Sequence, residues 1–321
     1  MVGASPELFR QHPLFPAKVS EEGLVGLLMV HALANGRSLL EGVNRLGWGH
    51  ALRWHPGEKP MEVRNYSMAV GGSMGSDSID DWGRNHSIES DPIAQLDAAF
   101  ESAVRRHVPS GERHGVLLSG GRDSRLLSGY VVERGDTLDA LTFGRKSDYE
   151  VIAAKRVARE LDLEHRVVAL DEARLTEDAE IQSRWEHLAM GFSNLHMWGA
   201  VEPLGALPRR VVCGHGLETR AGEPLPPDFD AMMDLRKHRG IPRATLRRLL
   251  RPEKFDGAQE SVEQELRESY MSNSDDERQR GWRFYLDHDW RSHAGGVPWK
   301  LTFGAWPIVP ICDREVMNVI A

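Results

Sequence analysis

The sequence predicts a doubly wound, parallel α/β sheet that follows a small α+β segment. Three short and almost continuous apolar segments, 116–118, 138–143 and 165–170, indicate buried strands. Segments with apolar residues at helical spacing follow the first and the second of these strands. Strands that alternate with helices in this order form parallel sheets, and the ligands of such sheets bind beyond the carboxyl ends of the strands.

A further helix is predicted directly before the first strand. Asp91 is a suitable N-cap residue, and Pro92 suits the first helical position. We expect this helix to end near His107. The apolar residues that we expect on its buried face are Ile93, Leu96, Phe100, Ala103 and Val104.

The composition excludes several classes of protein. The chain has 321 residues, of which 48 are acidic and 40 basic, and its net charge of −8 argues against nucleic-acid binding. Its only cysteines, Cys213 and Cys312, are too few for a disulfide scaffold or a cysteine-based zinc site. No apolar run has the length of a membrane span, and the first residues do not form a signal peptide. We therefore expect a cytoplasmic protein without a membrane partner, either as a monomer or as an oligomer.

The first strand of the predicted sheet runs into a turn of small residues, 119–124 (the SGG loop), and then into a helix. Gly120 and Gly121 allow the backbone to approach a ligand closely and to adopt positive φ angles. The free N–H groups of the first helical turn lie at the positive end of the helix dipole. This combination predicts a binding site for an anion.

The polar side chains of the SGG loop suit a phosphate that carries a metal ion. Ser119 and Ser124 add hydroxyl donors, and Asp123 offers the kind of oxygen ligand that Mg²⁺ prefers. The loop therefore predicts a site for a magnesium-bound pyrophosphate. The alternative is a glycine turn that only allows the helix and the strand to pack.

The SGG loop resembles the S-G-G-x-D-S signature of the ATP pyrophosphatases, which cleave ATP between the α- and β-phosphates. The other common phosphate-binding loop, the Walker sequence G-x-x-x-x-G-K-[ST], does not occur in the chain. The resemblance implies that Leu118, Phe143 and Gly144 border the adenosine, although Phe143 alone would be interpreted as a core aromatic. Arg122 and Arg125 would neutralise phosphate charge, with Arg122 at the variable position of the signature. The residues predicted to bind ATP are Leu118, Ser119, Gly120, Gly121, Asp123, Ser124, Phe143, Gly144 and Gly214.

Residues 36–54 resemble the last part of the glutaminase domain of asparagine synthetases, and Arg64-Asn65-Tyr66 stands where that family has an arginine–tyrosine pair. Residues 309–316 resemble a segment late in the synthetase domain, after which the family continues with several helices. The resemblance implies three parts. These are a remnant of the glutaminase domain (1–70), a linker rich in glycine and serine (71–90), and a synthetase domain with a Rossmann-like ATP-pyrophosphatase fold (91–321). We expect no glutaminase activity, because the chain begins with Met1-Val2 and not with the family's cysteine nucleophile.

A second loop, 211–222, is expected at the same edge of the sheet. Asparagine synthetases carry a G-E-G-x-D-E sequence there, and Gly214 and Gly216 match its glycines. Glu218 stands at the position of the aspartate and would bind Mg²⁺ together with Asp123. His215 replaces the first glutamate, and a neutral imidazole can take a proton from an attacking amine. The alternative for His215 is a solvated histidine in a degenerate site.

The resemblance implies an AMP-forming carbon–nitrogen ligase that uses ATP and Mg²⁺. A carboxylate of a small molecule or a peptide would attack the α-phosphorus, pyrophosphate would leave, and an amine or ammonia would displace AMP to form an amide. The candidate catalytic residues are His215, Glu218 and Arg125. Three interpretations stay open: amidation of aspartate as in asparagine biosynthesis, intramolecular amide formation as in lasso-peptide cyclases and β-lactam synthetases, and nucleotide binding without catalysis.

Overall fold

The structure is a computed structural model, and it describes residues 1–47, 49–64, 92–187, 189, 194–215, 226, 228–237, 240–255, 257–272, 277–291 and 295–320. The chain forms two compact units. The first comprises Met1–Ser67, Thr176–Leu195 and Glu223–His293, and the second comprises Met68–Leu175, His196–Gly222 and Ala294–Ala321. The predicted linker, 71–90, lies outside the described residues, and the predicted domain boundaries stay a prediction.

Helices and strands alternate through much of the described chain. The strands are β1 (His50–Arg53), β2 (Met61–Arg64), β3 (Arg113–Leu117), β4 (Thr137–Phe143), β5 (Glu164–Val168), β6 (Arg210–Val212) and β7 (Trp306–Ile308). The α-helices are α1 (Pro6–Arg10), α2 (Glu21–Val30), α3 (Pro92–His107), α4 (Arg122–Glu133), α5 (Tyr149–Glu160), α6 (Leu175–Trp185), α7 (Val201–Leu204), α8 (Phe229–Lys237), α9 (Arg243–Leu249), α10 (Pro252–Phe255), α11 (Ala258–Ser272), α12 (Glu277–Tyr285), α13 (Gly296–Leu301) and α14 (Arg314–Ile320). None of the helices in the described part of the chain is long and apolar enough to cross a membrane.

The second unit contains a five-stranded sheet in the order β5-β4-β3-β6-β7, in which all neighbours are parallel. This confirms the predicted parallel α/β fold. From β3 the chain moves outward through β4 to β5, whereas β6 pairs with the other side of β3. The strand order therefore reverses beside β3, which creates a crevice at the carboxyl end of this strand.

Helices α4 and α5 bury their apolar faces, as the spacing of their residues predicts. Leu127 and Val131 of α4 and Val151 and Ala154 of α5 are each 0% exposed. In α3 the predicted face is wrong at its start, because Ile93 is 77% exposed. The buried residues of α3 begin in its third turn, so helical spacing identified the face but not how far the core extends along it. They are Ala99, Phe100, Ala103 and Val104.

The first unit has a core of its own, in which α2 packs with helices from 223–293. The β1–β2 hairpin of this unit is antiparallel, with His50 opposite Arg64. Three aromatic rings, those of Phe229, Tyr270 and Phe284, form mutual edge contacts with centroids 5.5–6.0 Å apart. Further buried members of this core are Val25, Met29, Met232, Met233, Leu246, Val262 and Leu266.

Two adjacent leucines of α4 provide a matched test of how this helix packs in the second unit. Leu127→Ala should lower the free energy of unfolding by about 3 kcal/mol, because it leaves a cavity under a fully buried helix face. Leu126 is 42% exposed, so Leu126→Ala should cost about 1 kcal/mol or less. Urea denaturation of both variants measures the difference, and equal losses would contradict the described orientation of α4.

Candidate active site

The SGG loop connects β3 to α4 at the crevice where the strand order reverses. The N-cap residue of α4 is Gly121, whose backbone is extended (φ −71°, ψ 162°) and which has no side chain to accept from the first helical turn. A glycine here therefore offers no side-chain oxygen to the N–H groups of this turn, which suits a site for an anion. Among the described atoms, a Cβ on Gly121 would meet only Ser119 Oγ, at 3.1 Å. The binding of a phosphate by this loop stays a prediction.

The two serines of the SGG loop bind each other. The N–H group of Ser119 donates to Ser124 Oγ at 3.0 Å, and the two hydroxyl oxygens are also 3.0 Å apart. Ser119 Oγ in addition accepts from the N–H group of Gly121 at 3.1 Å. The buried hydroxyl of Ser124 thus holds the loop in shape. Its predicted contact with pyrophosphate stays a prediction.

Gly120 lies against the first turns of α5. A Cβ at this position would be 2.9 Å from Ala153 Cβ and 3.1 Å from Glu150 Cα, which is too close for any side chain. The glycine is therefore required for the packing of α5 against the loop. Both interpretations of the glycine pair thus have support, since Gly120 serves packing, while among the described atoms a Cβ on Gly121 would meet only Ser119 Oγ.

The charged residues of the SGG loop lie at its rim. Arg122 and Arg125 are exposed, and Arg125 Nε donates to the carbonyl oxygen of Gly121 at 3.0 Å. This bond holds the Arg125 guanidinium beside the loop, where it can attract phosphate. Asp123 is half-buried in the first turn of α4.

The residues predicted to border the adenosine lie at the ends of β3 and β4. Leu118 is 2% exposed, so its side chain supports the loop from the core. Phe143 is half-buried and packs against a core cluster, as expected for a core aromatic. Gly144 has a φ of +137°, which favours glycine, and its N–H group donates to Val168 O at 3.0 Å. Their contact with adenosine stays a prediction.

The second predicted loop is in contact with the first. A Cβ on Gly214 would be 3.0 Å from Ser124 N and 3.2 Å from the carbonyl carbon of Asp123. Gly214 thus allows the loop after β6 to pack directly against the first turn of α4. Gly216 and Glu218 lie outside the described residues, so the proposed pairing of Glu218 with Asp123 around Mg²⁺ stays a prediction.

His215 directly follows Gly214 in the chain, and its side chain is half-buried. Its Nδ1 is 3.1 Å from the Sγ of Cys213. Burial lowers the pKa of His215, and His196 lowers it further, while Asp123 acts in the opposite direction. The neutral form of the imidazole is therefore favoured at pH 7, and the ring lies within electrostatic range of Asp123.

Two further residues of the site were not predicted from the sequence. His196 precedes α7, and its pKa is lowered by burial and then by Lys300, against an opposing effect of Glu150. Lys300 of α13 is 0% exposed, which is rare for lysine. The only sequence indication for its burial is the pair of apolar neighbours, Trp299 and Leu301. The two imidazoles therefore lie within electrostatic range of each other, with Asp123 near His215 and Lys300 near His196.

The SGG loop contains one carboxylate, that of Asp123. Within the described ranges, no three His, Cys, Asp or Glu side chains cluster in a way that could hold a metal. Mg²⁺ that is bound through phosphates needs only one or two protein carboxylates. Asp123 could supply one of them from the first turn of α4.

Comparison with known proteins agrees with the predicted resemblance. Residues 95–194 match the family model for asparagine synthase, and this segment contains the SGG loop and the strands β3, β4 and β5. The match confirms the predicted resemblance to the asparagine synthetase family. The match also supports the expected use of ATP. The loop with Gly214 and His215 lies outside the match.

Two solved structures are similar to parts of the chain. A predicted subunit of tRNA methyltransferase from Methanocaldococcus jannaschii is 21% identical, with 43% of this chain and 72% of that chain covered and a TM-score of 0.26. NMN synthetase from Francisella tularensis is 14% identical, with 63% of this chain and 95% of that chain covered and a TM-score of 0.28. No curated protein matches the chain. Both TM-scores are low, so the fold assignment depends on the parallel sheet itself.

Two glycines of the β3–α4 region provide a matched pair of substitutions. Gly120→Ala places a Cβ 2.9 Å from Ala153 Cβ, so α5 must move, and we expect a loss of about 1–3 kcal/mol in stability. Gly129 lies in the middle of α4, where a Cβ meets no described atom within 4 Å. Gly129→Ala should therefore stabilise the protein by about 0.5–1 kcal/mol.

Thermal unfolding and ATP titration of both variants measure these effects. Gly120→Ala should also weaken ATP binding, because a displaced α5 changes the shape of the loop. A Gly120→Ala protein as stable as the Gly129→Ala protein would contradict the described contact with α5.

Proposed function

We propose that this protein is an AMP-forming ligase that adenylates a substrate carboxylate and then forms an amide with an amine or ammonia. The main support is the SGG loop, an uncapped helix N-terminus with an open glycine cradle at the point where the strand order reverses. The asparagine synthase match over residues 95–194 includes this loop and supports the ligase class.

The first step requires stabilisation of negative charge. A carboxylate oxygen of the substrate forms a bond to the α-phosphorus of ATP, and the bond to the β-phosphate oxygen breaks, so that pyrophosphate leaves with the electron pair. The N–H groups of the first turn of α4 and the guanidinium of Arg125 would bind the departing charge. Mg²⁺, when bound, would neutralise part of the phosphate charge, with Asp123 as a ligand.

The second step forms the amide. The amine nitrogen attacks the carbonyl carbon of the acyl adenylate, AMP leaves as the phosphate anion, and the nitrogen gives up one proton. The contact of Gly214 with the first turn of α4 brings His215 to the same end of the sheet as the SGG loop. The loop after β6 is therefore our candidate for the surface that contacts the acyl group and the amine.

Pyrophosphate release from Mg-ATP tests the proposal. The purified full chain would be assayed with aspartate plus ammonia and with fractions of a cell extract as the source of carboxylate and amine. We expect release that depends on the added substrate. Asp123→Ala should lower it by about 100-fold or more, because this variant removes the carboxylate at the phosphate site.

Ser128→Ala is the matched control for Asp123→Ala. Ser128 lies on the same helix, and its buried hydroxyl donates only within the helix, to Ser124 O at 2.7 Å. This variant should retain the rate of the unmodified protein. ATP binding without any pyrophosphate release would contradict the ligase proposal and would support nucleotide binding without catalysis. Release that is unaffected by Asp123→Ala would contradict the proposed site.

A further inference from the structure

Cys213 and His215 are in contact just after β6. The side chain of Cys213 is 0% exposed, and its Sγ is 3.1 Å from Nδ1 of His215. Nδ1 thus faces the buried thiol, and Nε2 is the ring nitrogen on the side away from this contact.

We propose that the Cys213 thiol donates its hydrogen to Nδ1 of His215 and thereby fixes the imidazole in the tautomer that carries hydrogen on Nε2. His215 then presents an N–H donor to a bound substrate, and not a base. Cys213 is a positioning residue that acts through this ring. The tautomer assignment is independent of the proposed ligase function, whereas the role of the donor depends on that function.

The direction of the bond follows from the surroundings of the sulfur. A buried thiol in apolar surroundings keeps its hydrogen, and burial raises the pKa of Cys213 to about 12. An imidazole nitrogen is a good acceptor for this hydrogen. In the opposite direction the ring N–H group would donate to sulfur, which is a weak acceptor. The hydrogen bond at one ring nitrogen decides which nitrogen of a neutral imidazole is protonated.

Most of the surroundings of the ring favour its neutral form. An imidazole in water is already mostly neutral at pH 7. Burial and the neighbouring His196 lower the pKa of His215, whereas the Asp123 carboxylate acts in the opposite direction. Burial and Lys300 likewise lower the pKa of His196. Both imidazoles are therefore shifted toward their neutral forms.

An N–H donor at Nε2 suits the proposed chemistry. Negative charge develops on phosphoryl oxygens during adenylation and on the carbonyl oxygen when the amine attacks. A fixed donor aimed at such an oxygen stabilises the transition state. The amine proton then passes to solvent, and the products are the amide, AMP and one proton. This role differs from the general-base role that the sequence suggested for His215.

Nitrogen NMR of the full chain tests the tautomer without any substrate. The protein would be labelled with [¹⁵N]histidine, and the ring signals of His215 would be assigned by their loss in His215→Gln. At pH 7 we expect a pyrrole-type shift for Nε2 and a pyridine-type shift for Nδ1. Cys213→Ala should move the two shifts toward each other, because the tautomers then mix. Cys213→Ser, which keeps a hydrogen-bond donor, should leave them close to those of the unmodified protein.

Two results would overturn the tautomer assignment. One is a pyrrole-type shift for Nδ1 in the unmodified protein, and the other is unchanged ring shifts in Cys213→Ala.

Pyrophosphate release then tests the role of the donor. His215→Gln retains an N–H donor but cannot take a proton, so it should stay within about tenfold of the unmodified rate, whereas His215→Ala should lose about 100-fold. Equal losses in the two variants would overturn the donor role. A chain without ligase activity would overturn the proposed function, while the ring shifts would still decide the tautomer.

Discussion

The site depends on close packing around the turn from β3 to α4. On one side Gly120 lies against the backbone of Glu150, and on the other Gly214 lies against the peptide of Asp123 and Ser124. Neither position has room for a side chain, so the two glycines allow three elements to meet at one helix N-terminus. The hydrogen bonds between Ser119 and Ser124 then close the turn. The first turn of α4 with its Asp123 and the imidazole of His215 are brought together by this packing.

The sequence predicted the features whose causes are local. The apolar run that ends at Leu118, the helical spacing of Leu127 and Val131, and the glycine pair of the SGG loop each lie within a few residues of one another. Such patterns indicate the strand, the turn and the helix without knowledge of the rest of the chain. At Ile93 the same reasoning failed, because helical spacing shows which face is apolar but not where the core ends.

The remaining features depend on distant parts of the chain. His196 and Lys300 come from segments far from the SGG loop, and two apolar neighbours are too weak a pattern to predict that a lysine is buried. The position of β6 beside β3, and therefore the contact of Gly214 with α4, follows from strand order, which local patterns do not determine. The contact between Cys213 and His215 could be suspected from their spacing, but its direction depends on the burial of the thiol. The roles of Glu218 and the predicted domain boundaries stay predictions.

The identity of the nucleotide product tests the central claim most directly. ³¹P NMR of the full chain with Mg-ATP, a stimulating carboxylate and an amine distinguishes cleavage at the α-phosphorus from cleavage at the γ-phosphorus. If the SGG loop binds the pyrophosphate part of ATP, the reaction should form AMP and pyrophosphate in equal amounts, together with one amide for each AMP. Formation of ADP and inorganic phosphate would contradict the account, because the loop would then bind a different part of the nucleotide.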